Sequence, residues 1–290
     1  SFLTPYENER VTLAKGVECY DCLAKELFPL HAYQIFAEGD ILAIEKLLGI
    51  KGHNAFTPCR DCLIHGHRNV SGGQTIYYTA LRGPLIPDQP APPLEWTRDT
   101  LVLRSADHFK NALQKINSAT TKKYQKELQR HYGIRHSPVL TRVNSLDPSK
   151  TYPWDWMHLF AENIIQTLVT LWTSDFKGLD TGSGNYRISS RDWEAIGLET
   201  LEAMKLIPSA FVRALGNIAQ DKSTYTAESW AFWFMYIAPS TLANRFEDNK
   251  YYTHAMDLIA IMKITLQYEI TRAEVEDLRE KCWRWVQQYE

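Results

Sequence analysis

Residues 36–62 read FAEGDILAIEKLLGIKGHNAFTPCRDC. An apolar run stops before Gly39, a lone carboxylate follows at Asp40, and a Cys-x-x-Cys pair ends the stretch at Cys59 and Cys62. Just upstream, residues 30–38 (LHAYQIFAE) are apolar and aromatic with no polar face, and so short a run reads as a buried strand. Just downstream, Asp40 to Leu48 has helical spacing, with Asp40 in the position of its N-cap. A carboxylate at the C-terminal end of a strand projects past the sheet edge, where α/β sites form. Its oxygens suit a hard divalent cation. Capping the helix is the simpler role for the same residue.

The bulk numbers exclude several classes. At 290 residues with 44% hydrophobic and 23% charged residues, the chain has material for a packed core and is not a disordered tail. No apolar stretch approaches the ~20 residues of a membrane span, and no signal-peptide pattern is present. The net charge is −2, but residues 109–150 hold nine basic and two acidic side chains. A local basic block of this kind suits contact with phosphate, or simply a solvated helix face. The five cysteines, with two Cys-x-x-Cys pairs, fit a reducing compartment and metal binding better than a disulfide framework.

Along the chain, residues 7–27 show helical periodicity interrupted near Gly16, which places Cys19 and Cys22 in a helix. Residues 71–99, rich in glycine and proline, read as an irregular connection around one strand, QTIYYTAL. Residues 106–131 form a polar helical stretch broken near Ser118 to Thr121. Further helices are expected over 154–173, 190–205, 208–220, 226–247, 250–268 and 271–289, with a loop marked by Gly178, Gly182 and Gly184. The fold class expected is therefore α+β and helix-rich. It has three parts: 1–100 with the cysteine knuckle, a basic helical connection over 101–150, and an all-helical region over 151–290.

Two clusters carry metal-binding chemistry. Cys59 and Cys62 can chelate one zinc, with His65 or His67 as a third ligand. On a helix, Asp155, His158 and Glu162 fall on one stripe, suited to a metal or to a dipole-stabilising start with a satisfied histidine. A zinc site shared by Cys59, Cys62 and His158 is one further arrangement. The aromatic residues Trp193, Trp230, Trp233, Trp283, Trp285, Tyr225 and Tyr236 recur at helical spacing and read as core rather than as base-stacking platforms.

In order along nearly all of the chain, GDILAIEKLLGIKGHNAFTPCRDC, PWDWMHLFAENIIQTLVTLW, LWTSDFKGLDTGSGNY, IPSAF with NIAQDKSTYTAESWAFW, and QYEITRAEVEDLRE with WVQQYE resemble CACTA-type (En/Spm-like) DDE transposases. The likeness is strongest to copies carried in basidiomycete fungal genomes. The resemblance implies a partial RNase H-like core with a large all-helical insertion. It implies that Asp40 is the second of three catalytic carboxylates, which with Mg2+ or Mn2+ cleave and transfer DNA strands. It also makes Cys59/Cys62 the family's Cys-x-x-Cys and Asp155/His158 its Asp-x-x-His, with zinc in a structural role. The other two carboxylates would come from a strand before Ser1 and a helix after Glu290, and Leu42 replaces the family's proline. The expectation is a transposase fragment, inactive alone and located in the nucleus. It would hold the DNA of transposon ends through Lys110, Lys122, Lys123, Lys126 and Arg130. No membrane contact is expected, and the helical half could also join copies into a homo-oligomer. A non-catalytic, transposon-derived zinc and nucleic-acid-binding or interaction module is the alternative, and a degenerate relic the third reading.

Overall fold

The computed structural model describes residues 2–68, 77–82, 95–174, 176 and 182–290. The chain divides into two compact units, Ser1–Asp155 and Trp156–Glu290. It is 52% helical and 7% strand, so the helix-rich α+β class holds. Among the described residues the strands form two separate two-stranded antiparallel sheets, and a larger sheet of the RNase H kind is not among them.

The first unit opens with α1 (Thr4–Lys15), which ends at Gly16 with φ +100°. Glu7 and Arg10 on this helix are buried as an ion pair, and the Glu7 carboxylate also accepts the Arg142 N–H at 2.7 Å. Buried charges persist only when paired and hydrogen-bonded in this way. The helical pattern over 7–27 does not continue past Gly16, where the positive φ breaks it. Instead β1 (Val17–Asp21) and β2 (Glu26–Leu30) form a hairpin. The Asp21 carboxylate accepts the Leu23 and Ala24 N–H groups at 2.8 and 3.0 Å to make its turn. Cys19 therefore lies on a strand and Cys22 in the turn, not in a helix. The hairpin leaves Tyr20, Leu23 and Leu27 exposed.

The buried strand expected at 30–38 is corrected. β2 ends at Leu30, residues 31–40 have no regular structure, and Tyr33, Ile35 and Phe36 are exposed. Among the described residues no strand pairs with this run, and Ala37, which donates to the Thr151 carbonyl, is its one buried apolar residue. Composition alone does not make a strand where the ladder has no partner.

Next come α2 (Ile41–Leu48), α3 (Ala106–Asn117) and α4 (Lys122–Tyr132), each with a polar cap: Asp40, as expected, and then Ser105 and Thr121. The break near 118–121 separates α3 from α4 as expected. Ile44 and Leu48 from α2 share a core with Phe109, Ala112 and Ile116 of α3 and with Ile50 and Ile134. The segment 101–150 thus packs within this unit. β3 (Gly66–Arg68) and β4 (Tyr77–Thr79) form the second antiparallel pair; β4 lies within the expected QTIYYTAL, of which residues 74–76 lie outside the described residues, and β3 was not expected.

In the second unit, Met157–Ile164 winds as a π-helix and continues into α5 (Ile165–Thr173). α6 (Ser190–Met204), α7 (Ile218–Asp221), α8 (Ala227–Phe232) with a π-helical continuation over Trp233–Ile237, α9 (Ala238–Thr241), α10 (Asn249–Thr265) and α11 (Arg272–Tyr289) follow. The helix expected over 208–220 shrinks to α7. Pro208 and Gly216 interrupt it, and Asn217 caps the remainder by accepting the Ala219 N–H at 2.9 Å. Gly178 lies outside the described residues.

Of the expected aromatic residues, Trp193, Tyr225, Trp230, Trp233 and Trp285 form core, and Trp283 is half-buried outside it. Trp233 is fully buried, with Trp193 and Trp230 edge-on to it at 6.1 and 6.5 Å. Such edge-to-face pairs add to their area burial. The Trp233 indole N–H donates to the buried Thr200 hydroxyl at 3.1 Å. Tyr236, by contrast, is exposed. Thr200→Val should leave that indole N–H buried without an acceptor, lowering stability by about 1–3 kcal/mol in chemical denaturation followed by tryptophan fluorescence.

Candidate functional site

A helix leaves its last carbonyls without partners inside the helix, and buried carbonyls need them. At the end of α4 the neighbouring chain supplies every one from Arg130 to Gly133. The Phe56 N–H donates to the Arg130 carbonyl at 2.8 Å and the Thr57 hydroxyl to the His131 carbonyl at 2.9 Å. Arg104 donates to the Tyr132 carbonyl at 3.0 Å, and the Lys51 N–H to the Gly133 carbonyl at 2.8 Å. Arg104 also donates to the Cys59 and Thr57 carbonyls at 2.8 and 2.9 Å, so one buried guanidinium joins the cysteine loop to α4. A cation at a helix C-terminus is also favoured by the helix dipole.

α4 itself buries no residue. Its exposed Lys122, Lys123, Lys126 and Arg130 fall on one arc of the helix by their three- and four-residue spacing. A groove of about 210 Å³ along the helix is lined by Lys123, Lys126, Glu127 and Arg130. Lys110 is exposed on α3 and does not line this groove. The structure therefore gathers four of the five expected phosphate contacts.

The cysteine loop is pinned from the other side. The Leu63 N–H bonds the Val102 carbonyl at 2.9 Å, and the Arg104 N–H bonds the Asp61 carbonyl at 2.8 Å. Arg60 is buried, with its guanidinium 3.7 Å from the centre of the Trp154 ring, and the Trp154 indole donates to the Asp61 carboxylate. Cys62 donates its S–H to Cys59, and the Asp61 N–H approaches the Cys59 sulfur at 3.4 Å. The shared proton and this N–H bring Cys59 down to about 7, while the same bond and burial push Cys62 up.

The histidines expected to complete a zinc site have other partners. His65 stacks on Phe56 at 4.4 Å and meets the Trp96 ring edge-on at 5.2 Å. His67 approaches the Glu95 carboxylate at 3.8 Å. His158 pairs with Glu162 at 3.6 Å in the second unit. Asp155 precedes the helix, so of the expected stripe of Asp155, His158 and Glu162 the helix itself carries His158 and Glu162. Among the described residues no three His, Cys, Asp or Glu side chains group to hold a metal. Two sulfurs do not fit the four ligands of a structural zinc centre.

Asp40 is an N-cap. Its carboxylate accepts the Ala43 N–H at 2.5 Å, on an exposed loop rather than at a sheet edge. One capping carboxylate does not fit a two-metal centre, which needs several oxygen ligands per ion. Sequence reasoning missed Lys51, Arg104 and Arg135. A signal for two of them is present as Gly49-Ile50-Lys51 and Gly133-Ile134-Arg135, the same pattern after two helices.

Two outcomes follow for this region. Arg104→Met should lower unfolding free energy by on the order of 3 kcal/mol, and Arg104→Lys should recover little of it, because a single ammonium does not reproduce the fork. For the thiols, alkylation followed by mass spectrometry should show Cys59 reacting half-maximally near pH 7, because its thiolate is populated above that value, with Cys62 protected. Cys62→Ala should move that midpoint up toward the ordinary thiol value of about 8.5.

Against known proteins, no family model matches the chain, and neither the curated proteins nor the solved structures contain a match.

Proposed function

We propose that the chain is a DNA-holding part of a CACTA-type transposase catalytic region that does not cut DNA by itself. The observation that carries this is the basic arc of α4, whose Lys122, Lys123, Lys126 and Arg130 are exposed on a helix anchored at its C-terminal end by tertiary hydrogen bonds. Lysine and arginine side chains on a rigid element suit phosphate contacts that position a duplex without reading its sequence. The ordered motifs of the resemblance support the transposase context and, with it, a nuclear location and transposon ends as the DNA. In this reading Asp40 contributes a helix start. The cysteine loop braces α4 through Arg104, whether or not a partner segment adds ligands to the two sulfurs.

A second reading, a transposon-derived nucleic-acid-binding module with no part in cleavage, draws on the N-cap role of Asp40. One set of measurements tests what the two readings share. Fluorescence anisotropy with duplex DNA should show binding that weakens steeply with salt and lies in the ~10⁻⁴–10⁻⁶ M range typical of sequence-independent contact. Absence of binding at low salt would overturn both readings. A nicking assay with Mg2+ or Mn2+ should show no strand cleavage. Cleavage abolished by Asp40→Ala would overturn the non-cutting assignment and restore Asp40 as a catalytic ligand.

A further inference from the structure

Two helices end in the same way and meet at their ends. α2 stops at Gly49 with φ +66° and α4 at Gly133 with φ +70°. Each glycine is followed by a buried isoleucine, Ile50 or Ile134, and then by a cation, Lys51 or Arg135. The two tripeptides pair antiparallel. Ile50 lies opposite Ile134, the Lys51 N–H donates to the Gly133 carbonyl at 2.8 Å, and the Arg135 N–H donates to the Gly49 carbonyl at 2.6 Å. Side chains alternate along such a ladder, so with both isoleucines inward both cations fall on the opposite, outer face.

The neighbourhood is short of negative charge. Lys46, Lys51, His53 and Arg135 line one hollow of about 180 Å³, with Glu45 as the one carboxylate among its lining residues. Lys51, Lys126, Arg130 and Arg135 form no ion pair with a carboxylate among the described residues. The Lys51 ammonium is held below its ordinary value by burial first, then by repulsion from Arg135, Arg130 and Lys126. That repulsion couples the hollow to the arc on α4. The negative ends of two helix dipoles help hold the cations together, but they do not neutralise them.

We propose that Lys51 and Arg135 clamp a backbone phosphate of duplex DNA, extending the row of contacts begun by Lys126 and Arg130. The proposal rests on the DNA-holding reading of α4 and deepens it. Backbone hydrogen bonds fix the two residues next to each other on one face, so both side chains start from adjacent positions. Bound phosphate relieves the repulsion that the unbound cluster carries.

The test uses the full chain and a short duplex, with anisotropy measured over a range of salt. Each phosphate contact contributes about 0.9 to the slope of log affinity against log salt. Lys51→Gln with Arg135→Gln removes the one clamped phosphate and should lower that slope by about 1, and the charge-preserving pair Lys51→Arg with Arg135→Lys should retain it. Lys15→Gln with Lys263→Gln, a charge-matched control, should leave the slope unchanged. Far-UV circular dichroism checks that the variants keep their helices; if the glutamine pair unfolds, the charge-preserving pair and the two single glutamine variants carry the comparison. Binding by the wild type with an unchanged slope in the glutamine variants overturns the clamp and leaves the α4 reading standing. No binding by the wild type overturns both. Displacement of the duplex by free inorganic phosphate at matched ionic strength overturns a DNA clamp in favour of a small-anion site.

Discussion

The need of the α4 carbonyls for donors organises the first unit. Left without partners, the groups from Arg130 to Gly133 would each cost free energy on burial. Residues 51–57 and Arg104 answer them, and in doing so they draw the cysteine loop, the end of α2 and the start of α3 onto one helix terminus. The apolar core of Ile44, Leu48, Phe109 and Ile116 lies against this junction and contributes most through burial. The hydrogen bonds set the alignment. Arg104 suits the task because its planar fork reaches three carbonyls at once.

The second unit has a different basis. It buries a large aromatic set around Trp233, with polar ties such as the Trp233–Thr200 bond and the Arg245 pair with Asp192 and Glu199 set among them. Two π-helical stretches, over Met157–Ile164 and Trp233–Ile237, widen the helices where bulky rings pack. Asp155 stands before the first of these, so a stripe drawn at α-helical spacing took in a residue that the helix does not carry. Helices named from periodicity survive here because burial of a stripe is visible in sequence. The 208–220 segment failed because its glycine, proline and asparagine act through turn chemistry.

The Asp40 cap was legible, because its side-chain oxygen precedes the apolar periodicity of α2, and it accepts the Ala43 N–H. Ser105 and Thr121 cap α3 and α4 in the same way. The run at 30–38 was not legible, since an apolar segment does not state whether a partner strand exists. Site chemistry was legible only in part. The α4 lysines follow from spacing, but His65 and His67 lie beside the cysteines in sequence and turn toward aromatic and acidic partners in space. Lys51 and Arg135 are distant in sequence, and only the pairing of Ile50 with Ile134 brings them together.

Gly133 has a genetic implication. A methyl group there would stand 2.0 Å from the Thr57 carbonyl oxygen, on a backbone that side chains rarely adopt. Any missense change of its codon would push the 51–57 segment off the helix end and expose the carbonyls it covers. One changed codon is thus enough to disturb the first unit, whatever the rest of the gene keeps.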